Sequence, residues 1–408
     1  YFEKARTPFT IPGHKQKTSA LDAGLGAIVD SDTPLYGGLD EIKLTNQTLR
    51  KAEALAAQLW GADYARFSTG GSTHANQAII FALGQPGDKV AVSRTAHRSV
   101  LSALVLAGLE PIWMSPEIDS ATGVPIGIAV TELQSALAEK PIAILLTEPG
   151  YLGTISDLPA LIKVAHQEKV PVILDAAWGG HFGFHPQLPQ HAFQMGADAL
   201  ITSTHKALPG YSASALLLAR TELLSAERLE QSFETTHTTS PAGAPLASID
   251  GVRALLETRG EELLGQLLEN IHRFKETVQA EFALPIFLYP SDFPAGRFDP
   301  SKLVLRVQQL GASGVDIEED LQQQGIRVEM ADRDTIVFLA TIADTAADFE
   351  RLADVLIPIL KKRQEQRRES ATALSWSVIP QKATSMRDAY FAKTEMVDAK
   401  SAVGRISA

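Results

Sequence analysis

The sequence predicts an α/β fold in which a mostly parallel, seven-stranded sheet carries helices on both faces and a smaller C-terminal α/β domain follows. Three observations predict it. Short apolar runs alternate with helical patterns over residues 45–240, which is typical of parallel sheets covered by helices. Helical periodicity then dominates residues 247–282, and apolar runs alternate with helices again beyond that stretch. We therefore expect two domains joined by a long helix.

The individual elements follow from the same patterns in chain order. Apolar runs predict strands of the large domain at 64–68, 89–93, 110–114, 142–147, 170–175, 199–202 and 214–218. Apolar residues at helical spacing predict its helices at 46–60, 75–83, 100–107, 131–138 and 158–168. In the smaller domain we expect strands at 302–307, 326–329 and 336–339, and helices at 314–324 and 345–360. The resulting segments are an N-terminal arm (1–44), a large domain (45–245), a connecting helical region (246–282), a small domain (283–370) and a C-terminal extension (371–408).

Composition excludes several classes of protein. The net charge of −11 argues against a general binder of nucleic acid, whose phosphates such a surface repels. The absence of cysteine excludes a disulfide scaffold, thiolate zinc sites and iron–sulfur clusters. No apolar run approaches the ~18 residues of a membrane helix. We expect a cytoplasmic protein with no metal and no membrane partner, trimmed at both ends because it runs from Tyr1 to Ala408.

Two charged residues lie at or just beyond the carboxyl ends of buried strands of the predicted sheet. Lys206 ends the segment Ser-Thr-His-Lys after the strand at 199–202, where its neighbours could lower its pKa and bind an anion. Asp175 ends the apolar strand at 170–175, where a buried carboxylate needs a cationic partner such as a protonated pyridine nitrogen. The alternatives are a plain loop lysine and an aspartate that caps the next turn.

Two further segments lie between a strand and a helix. The glycine- and hydroxyl-rich segment 68–74 offers backbone N–H groups and a helix N-terminus to a phosphate, although a plain turn is equally consistent with it. His97 could lie flat against an aromatic cofactor, or be an ordinary hydrogen-bonded histidine. All four features fall at one edge of the predicted sheet, where ligands of open α/β sheets bind. Together they predict pyridoxal 5′-phosphate (PLP) held as a Schiff base on Lys206.

The same segments resemble a known family. The sequence is similar to the Orn/Lys/Arg decarboxylases, in their short bacterial form, which belong to the PLP fold type I (aspartate aminotransferase-like) superfamily. The resemblance covers nearly the whole chain. The segments that carry it are Pro12-Gly13-His14-Lys15, Tyr36-Gly37-Gly38, Gly71-Ser72-Thr73, Ala96-His97-Arg98-Ser99, Glu148-Pro149-Gly150-Tyr151, Asp175-Ala176-Ala177-Trp178, Ser203-Thr204-His205-Lys206 and Ile326-Arg327-Val328-Glu329.

The resemblance implies a role for each matching residue. Lys206 would carry the cofactor, Asp175 would pair with the pyridinium nitrogen, and His97 and Ala177 would flank the ring. Lys206 or His205 would return a proton to Cα, and Glu329 would contact the substrate's distal cation or its amino end. The family's homodimers or higher oligomers build sites at their interface, so 32–41 and Thr239-Ser240-Pro241 would reach a neighbouring subunit. The implied phosphate ligands are Gly71, Ser72, Thr73, Ser203 and His205.

The implied activity is decarboxylation of lysine, arginine or ornithine to a diamine or polyamine and CO2. The sequence does not choose among these substrates, because one methylene is worth only ~1–3 kcal/mol of discrimination. Two alternatives stay open within the fold, an aminotransferase and a catalytically silent regulatory protein. A nucleotide-binding protein is a third, which the lack of a Walker lysine after Gly71 disfavours.

Overall fold

The structure is a computed structural model that describes residue 32, residues 47–365 and residues 381–406. Its centre is a seven-stranded sheet in the order β1-β9-β8-β7-β6-β2-β3. The strands of this sheet are β1 (Tyr64–Ser68), β2 (Lys89–Ser93), β3 (Glu110–Met114), β6 (Ile144–Thr147), β7 (Val172–Asp175), β8 (Ala199–Ser203) and β9 (Ala215–Ala219). Between β3 and β6 lies a short hairpin of β4 (Glu117–Ile118) and β5 (Pro125–Gly127), which the sequence did not predict.

Strand direction decides which polar residues meet. Strands β3, β2, β6, β7 and β8 run parallel to one another, and β9 is antiparallel to both β8 and β1. The carboxyl ends of β1, β2, β7 and β8 therefore share one edge of the sheet. This edge, called the sheet edge below, is the one that the sequence predicted.

Helices cover both faces of the sheet and explain why its central strands are wholly apolar. One face packs against α2 (Gly71–Leu83), α3 (Arg98–Ala107) and α6 (Ala226–Thr236), and the other against α1 (Thr48–Trp60) and α5 (Leu158–Gln167). Ile173 of β7 faces the first layer, whereas Leu174 faces the second, and both are about 1% exposed. This alternation buries both faces, as parallel sheets require. A shorter helix, α4 (Val130–Leu137), lies beside α5.

A second, three-stranded antiparallel sheet follows the long helix α7 (Gly243–Gln279). Its order is β10 (Leu303–Arg306), β12 (Thr335–Phe338) and β11 (Met330–Ala331). Helices α8 (Gly314–Gln323) and α9 (Ala346–Arg363) pack together beside it, and α10 (Met386–Phe391) contacts α3. These elements lie in the predicted small domain and C-terminal extension, and the exact domain boundaries stay a prediction. None of the helices described is long and apolar enough to cross a membrane.

The strand predicted at 326–329 was wrong. The backbone N–H of Ile326 instead donates to the carbonyl of Leu321, which closes the last turn of α8. Pairing with β12 starts only at the N–H of Glu329, which donates to Val337, so β11 is Met330–Ala331. The predicted arm lies outside the described residues except for Asp32, and so does most of the 32–41 segment.

Candidate active site

Asp175 is a buried acidic group at the sheet edge. It ends β7 and is 6% exposed. One carboxylate oxygen accepts from Asn76 Nδ2 at 2.9 Å and the other from the backbone N–H of Ala177 at 3.2 Å. Burial raises the pKa of Asp175, and no cationic side chain of the described residues forms an ion pair with it. The carboxylate therefore has room for a positively charged partner, which the pyridinium nitrogen of PLP would supply.

A chain of hydrogen bonds, called the relay below, connects Asp175 with His97. Asn76 of α2 donates to Asp175 and also to Ser99 Oγ, at 3.0 Å. Ser99 Oγ lies 2.8 Å from His97 Nδ1, and the backbone N–H of Ser99 donates to the same nitrogen at 3.2 Å. Because Nδ1 accepts, the proton of the neutral imidazole is on Nε2. Burial lowers the pKa of His97, which favours this neutral form.

His97 owes its position to the helix that follows it. It is the N-cap residue of α3, where its ring replaces one missing backbone hydrogen-bond partner of the first turn. The sequence singled out His97 but missed Asn76. A polar residue on the buried face of α2 breaks the apolar pattern of that helix, and this was the signal that could have found it.

Lys206 follows β8 at the same edge. It is partly buried, and burial lowers the pKa of its amine, while Asp175 and Glu329 oppose that shift. Its Nζ lies 4.7 Å from the centroid of the Trp178 ring. A lysine with a lowered pKa beside a buried carboxylate suits covalent attachment of a carbonyl cofactor.

Hydroxyl groups converge where the sequence placed a phosphate. Ser72 Oγ, in the first turn of α2, lies 2.7 Å from Ser203 Oγ at the end of β8. Thr73 is exposed beside them, and His205 is half-buried with its Nδ1 2.9 Å from the carbonyl of Ser214. The N-terminus of a 13-residue helix together with two hydroxyls suits an anion. This set fits the phosphate of PLP.

The rings of Tyr151 and Trp178 form the aromatic wall, which faces the sheet edge, and Lys302 and Glu329 lie beside it. The Tyr151 hydroxyl donates to Glu329 Oε1 at 3.0 Å, and its ring packs edge-on against Trp178 at 5.4 Å. Lys302 Nζ lies 3.9 Å from the Trp178 centroid. Glu329 lies near enough to Lys206 to favour the charged form of its amine, and Tyr151 is its hydrogen-bond partner.

Within the described part of the chain Glu329 forms no ion pair with a neighbouring arginine such as Arg327 or Arg333. Arg333 pairs instead with Asp334, at 3.0 Å. Beside Tyr151 a cavity of about 400 Å³ opens between the turns after β2 and β6 and the strand β11. Thr239 and Ser240 are exposed, and their predicted contact with a second subunit stays a prediction.

Comparisons with known proteins cover almost the whole chain. The family model for the Orn/Lys/Arg decarboxylase, major domain, matches residues 1–293. An arginine decarboxylase of Bacillus subtilis is 34% identical over 98% of this chain and 84% of its own length.

Solved structures confirm the predicted fold class. The crystal structure of a lysine decarboxylase from Francisella novicida superposes with a TM-score of 0.73 over 88% of this chain, at 20% identity. This chain spans 58% of that protein's length. A structure of SPT with PLP superposes with a TM-score of 0.60 over 77% of the chain, at 16% identity.

Proposed function

The chain belongs to the Orn/Lys/Arg decarboxylase family, and from that premise we propose that it is a PLP-dependent enzyme that decarboxylates a basic L-amino acid. The observation that carries the proposal is the buried carboxylate of Asp175, which has no ion pair within the described part of the chain, beside the partly buried amine of Lys206. The products would be CO2 and the amine of arginine, lysine or ornithine. The Bacillus subtilis relative is named for arginine, so arginine is the first substrate to test.

Each proposed cofactor contact uses a group already described at the sheet edge. Lys206 would attach the cofactor, and Asp175 would face the ring nitrogen. His97 and Ala177 would flank the ring. The phosphate would lie against the first turn of α2 and the end of β8, among Gly71, Ser72, Thr73, Ser203 and His205. PLP, when bound, supplies an electron sink for the pair left behind as CO2 departs.

Asp175 would hold a proton on the ring nitrogen. Its burial makes an ionised carboxylate costly without a cation, so pairing with a protonated nitrogen stabilises both charges. Asn76 and the N–H of Ala177 fix the direction of the two carboxylate oxygens. The relay thereby orients Asp175 and His97 together, without a proton having to move along it.

Lys206 would move the proton at the substrate's Cα. Since burial lowers the pKa of its amine, the nitrogen can exchange a proton nearer to neutral pH than an exposed lysine can. His205 is the other candidate, because it precedes Lys206 directly. Its Nδ1–H donates to the carbonyl of Ser214, so Nε2 is the nitrogen that can take up and release a proton.

The aromatic wall would receive the substrate side chain. Trp178 is buried on that side, whereas Tyr151 is 39% exposed, and the exposed Glu329 offers a carboxylate to the cation of the substrate. The adjoining cavity of about 400 Å³ has room for an amino-acid side chain. Glutamate and aspartate would instead bring a second negative charge next to Glu329.

The test combines cofactor attachment with product analysis. The purified protein incubated with PLP should turn yellow, and borohydride reduction with peptide mapping should place the label on Lys206. Arginine, lysine, ornithine and glutamate are then supplied in parallel, with CO2, amine and keto acid measured. A label elsewhere contradicts the cofactor site. Keto acid without CO2 favours an aminotransferase, and equal CO2 from glutamate contradicts the substrate class.

We also propose that the enzyme is a homodimer whose partner subunit completes each site. The support is the family membership and the exposed position of Thr239 and Ser240, just before the start of α7. Sedimentation at micromolar concentration should give twice the chain mass.

A further inference from the structure

Lys302 is a buried lysine to which the proposed reaction gives no role. It directly precedes β10 and is 6% exposed. Its Nζ lies 3.9 Å from the centroid of Trp178 and 5.8 Å from that of Tyr151. Ammonium groups over aromatic rings are attracted by the negative ring face, most strongly when they are desolvated. The amine of Lys302 is therefore held by the aromatic wall.

Lys275 shows what a purely structural buried lysine looks like in the same molecule. It is 3% exposed, and its Nζ donates to the carbonyls of Leu288 and Lys302, at 3.0 and 2.9 Å. Within the described part of the chain, Lys302 Nζ has no such hydrogen bond and no carboxylate within 4 Å. A buried ammonium without a direct anionic partner is costly, so its position calls for a reason.

The space for Lys302 is made by a glycine. A Cβ atom at Gly153, which has a φ of +96°, would lie 2.6 Å from Cγ of Lys302. The turn after β6 is thus shaped around the lysine stem. The backbone of Gly153 also accepts a hydrogen bond from the N–H of Asp299, which fixes the segment that leads to Lys302.

Lys302 and Lys206 share one aromatic partner. Their nitrogens lie 3.9 and 4.7 Å from the same Trp178 centroid, so their separation cannot exceed the sum of those two distances. We propose that Lys302 is a positioning residue, whose ammonium fixes Trp178 beside Lys206 and places a second positive charge next to the Lys206 amine. The inference rests on the proposed role of Lys206 and adds the residue that tunes it.

The other charged groups around the two lysines determine whether Lys302 is charged and how its charge changes the pKa of Lys206. Asp299 and Glu329 face Lys302 and favour its charged form, Lys206 disfavours it, and burial lowers its pKa to about 8. His181 lies behind Asp299, 3.3 Å from its carboxylate.

Lys206 is faced from other elements by Asp175, Glu329 and His97. At neutral pH Lys302 is mostly protonated, so its charge disfavours a proton on Lys206. Removing that charge should raise the pKa of Lys206.

The experiment measures the Lys206 amine itself. The full-length chain, stripped of any bound cofactor, is labelled with limiting acetic anhydride between pH 6 and 10, and the Lys206 peptide is quantified by mass spectrometry. Lys302→Met, which keeps length and loses charge, should lower labelling of Lys206 at pH 7 about tenfold. Lys302→Arg, which keeps the charge, should stay within about twofold of the wild type. Lys89→Met, which removes an exposed lysine that pairs with Glu139, is the control and should leave the Lys206 curve unchanged.

The possible outcomes separate this inference from the proposed function. An unchanged Lys206 curve in Lys302→Met, or equal losses in the Met and Arg variants, overturns the inference. Lys302→Gln replaces the Met variant if that one fails to fold, and failure of all three to fold would make Lys302 structural and also overturn it. The labelling uses neither cofactor nor substrate. A shifted curve with no PLP on Lys206 would therefore keep the coupling and refute the proposed function.

Discussion

At the sheet edge the four residues of the relay are held by hydrogen bonds to one another, whereas the aromatic wall holds the amine of Lys302 with its rings. Asp175, Asn76, Ser99 and His97 are connected in series by bonds of 2.8–3.0 Å. Lys302 instead has Trp178 as its nearest partner. A hydrogen-bonded series fixes orientation, which suits a cofactor with one required pose. A contact with an aromatic ring holds a positive charge in place but constrains its orientation less. It therefore suits a surface that different basic side chains approach.

The largest expected effect comes from the end of the relay. Asp175→Asn keeps the shape but removes the charge, so we expect kcat to fall by at least about a hundredfold while some PLP stays bound. Steady-state kinetics and the visible cofactor band measure the two effects. Asp198→Asn is the matched control: Asp198 is 4% exposed, at the opposite edge of the same sheet, where it accepts from the backbone of Val172. Near-normal turnover in Asp175→Asn would refute its pairing with the ring nitrogen.

The middle of the relay should matter less than its end. Asn76→Leu removes both donated hydrogen bonds and leaves Asp175 with the N–H of Ala177 alone. We expect a loss of about 1–3 kcal/mol in the free energy of unfolding, and a fall in kcat of about tenfold. Chemical denaturation and kinetics measure these. Ser102→Ala, on the next turn from Ser99 but outside the relay, is the control. A stability loss without any change in kcat would show that Asn76 serves the fold only.

At the aromatic wall we expect a change in substrate binding and little change in cofactor binding. Glu329→Gln keeps the Tyr151 contact in shape but removes the charge for the substrate cation. KM for the basic amino acid should rise about tenfold, with the affinity for PLP within about twofold of the wild type. Glu350→Gln, exposed on α9, is the charge control. If the affinity for PLP falls as much as substrate binding, cofactor binding at the sheet edge and substrate binding at the aromatic wall do not depend on separate residues.

The smallest expected effect is on the pH dependence of the free energy of unfolding. Burial lowers the pKa of His74 and of His191, both in the large domain, to about 4. The unfolded chain therefore takes up more protons than the folded one between about pH 6.5 and 4, and stability falls on acidification by up to about 1.4 kcal/mol per pH unit for each histidine. His191→Phe should flatten that acid limb in denaturation curves, and an unchanged slope would contradict it.

The lysines near the small domain act in the alkaline range. The pKa of Lys275 is lowered by burial to about 8, so the folded chain has lost its proton where the unfolded chain still holds one. Stability contributed by this group therefore rises from about pH 8 to about pH 10.5. Lys275→Met should reduce that alkaline rise in denaturation curves without abolishing it, because burial lowers the pKa of Lys302 to about 8 as well, and it should leave the acid limb unchanged.

The sheet edge was predictable because its information is local. A strand is recognised from its apolar run, and a residue at its end or shortly beyond it, such as Asp175 or Lys206, falls at the carboxyl end by chain direction alone. Asn76 was missed because its place in the relay depends on how α2 packs on the sheet.

The aromatic wall was harder to predict because it joins segments far apart in sequence. Lys302 and Tyr151 meet at Trp178 only in the folded chain, and Lys302 looked like the polar first residue of a strand. The error at 326–329 has a similar cause: apolar and charged residues alternate there as in a strand, but the N–H of Ile326 is bonded to the last turn of α8.

Gly153 limits which substitutions the protein tolerates in the turn after β6. It contacts no proposed reacting atom, yet any side chain there meets both a φ of +96° and the stem of Lys302. In a saturation library selected for polyamine production, position 153 should be as depleted of substitutions as position 206. Gly296 has a similar φ of +75° with nothing within 4 Å of a Cβ, so asparagine should survive there. A map of tolerated substitutions would thus reveal the space that the Lys302 side chain occupies through the intolerance of Gly153.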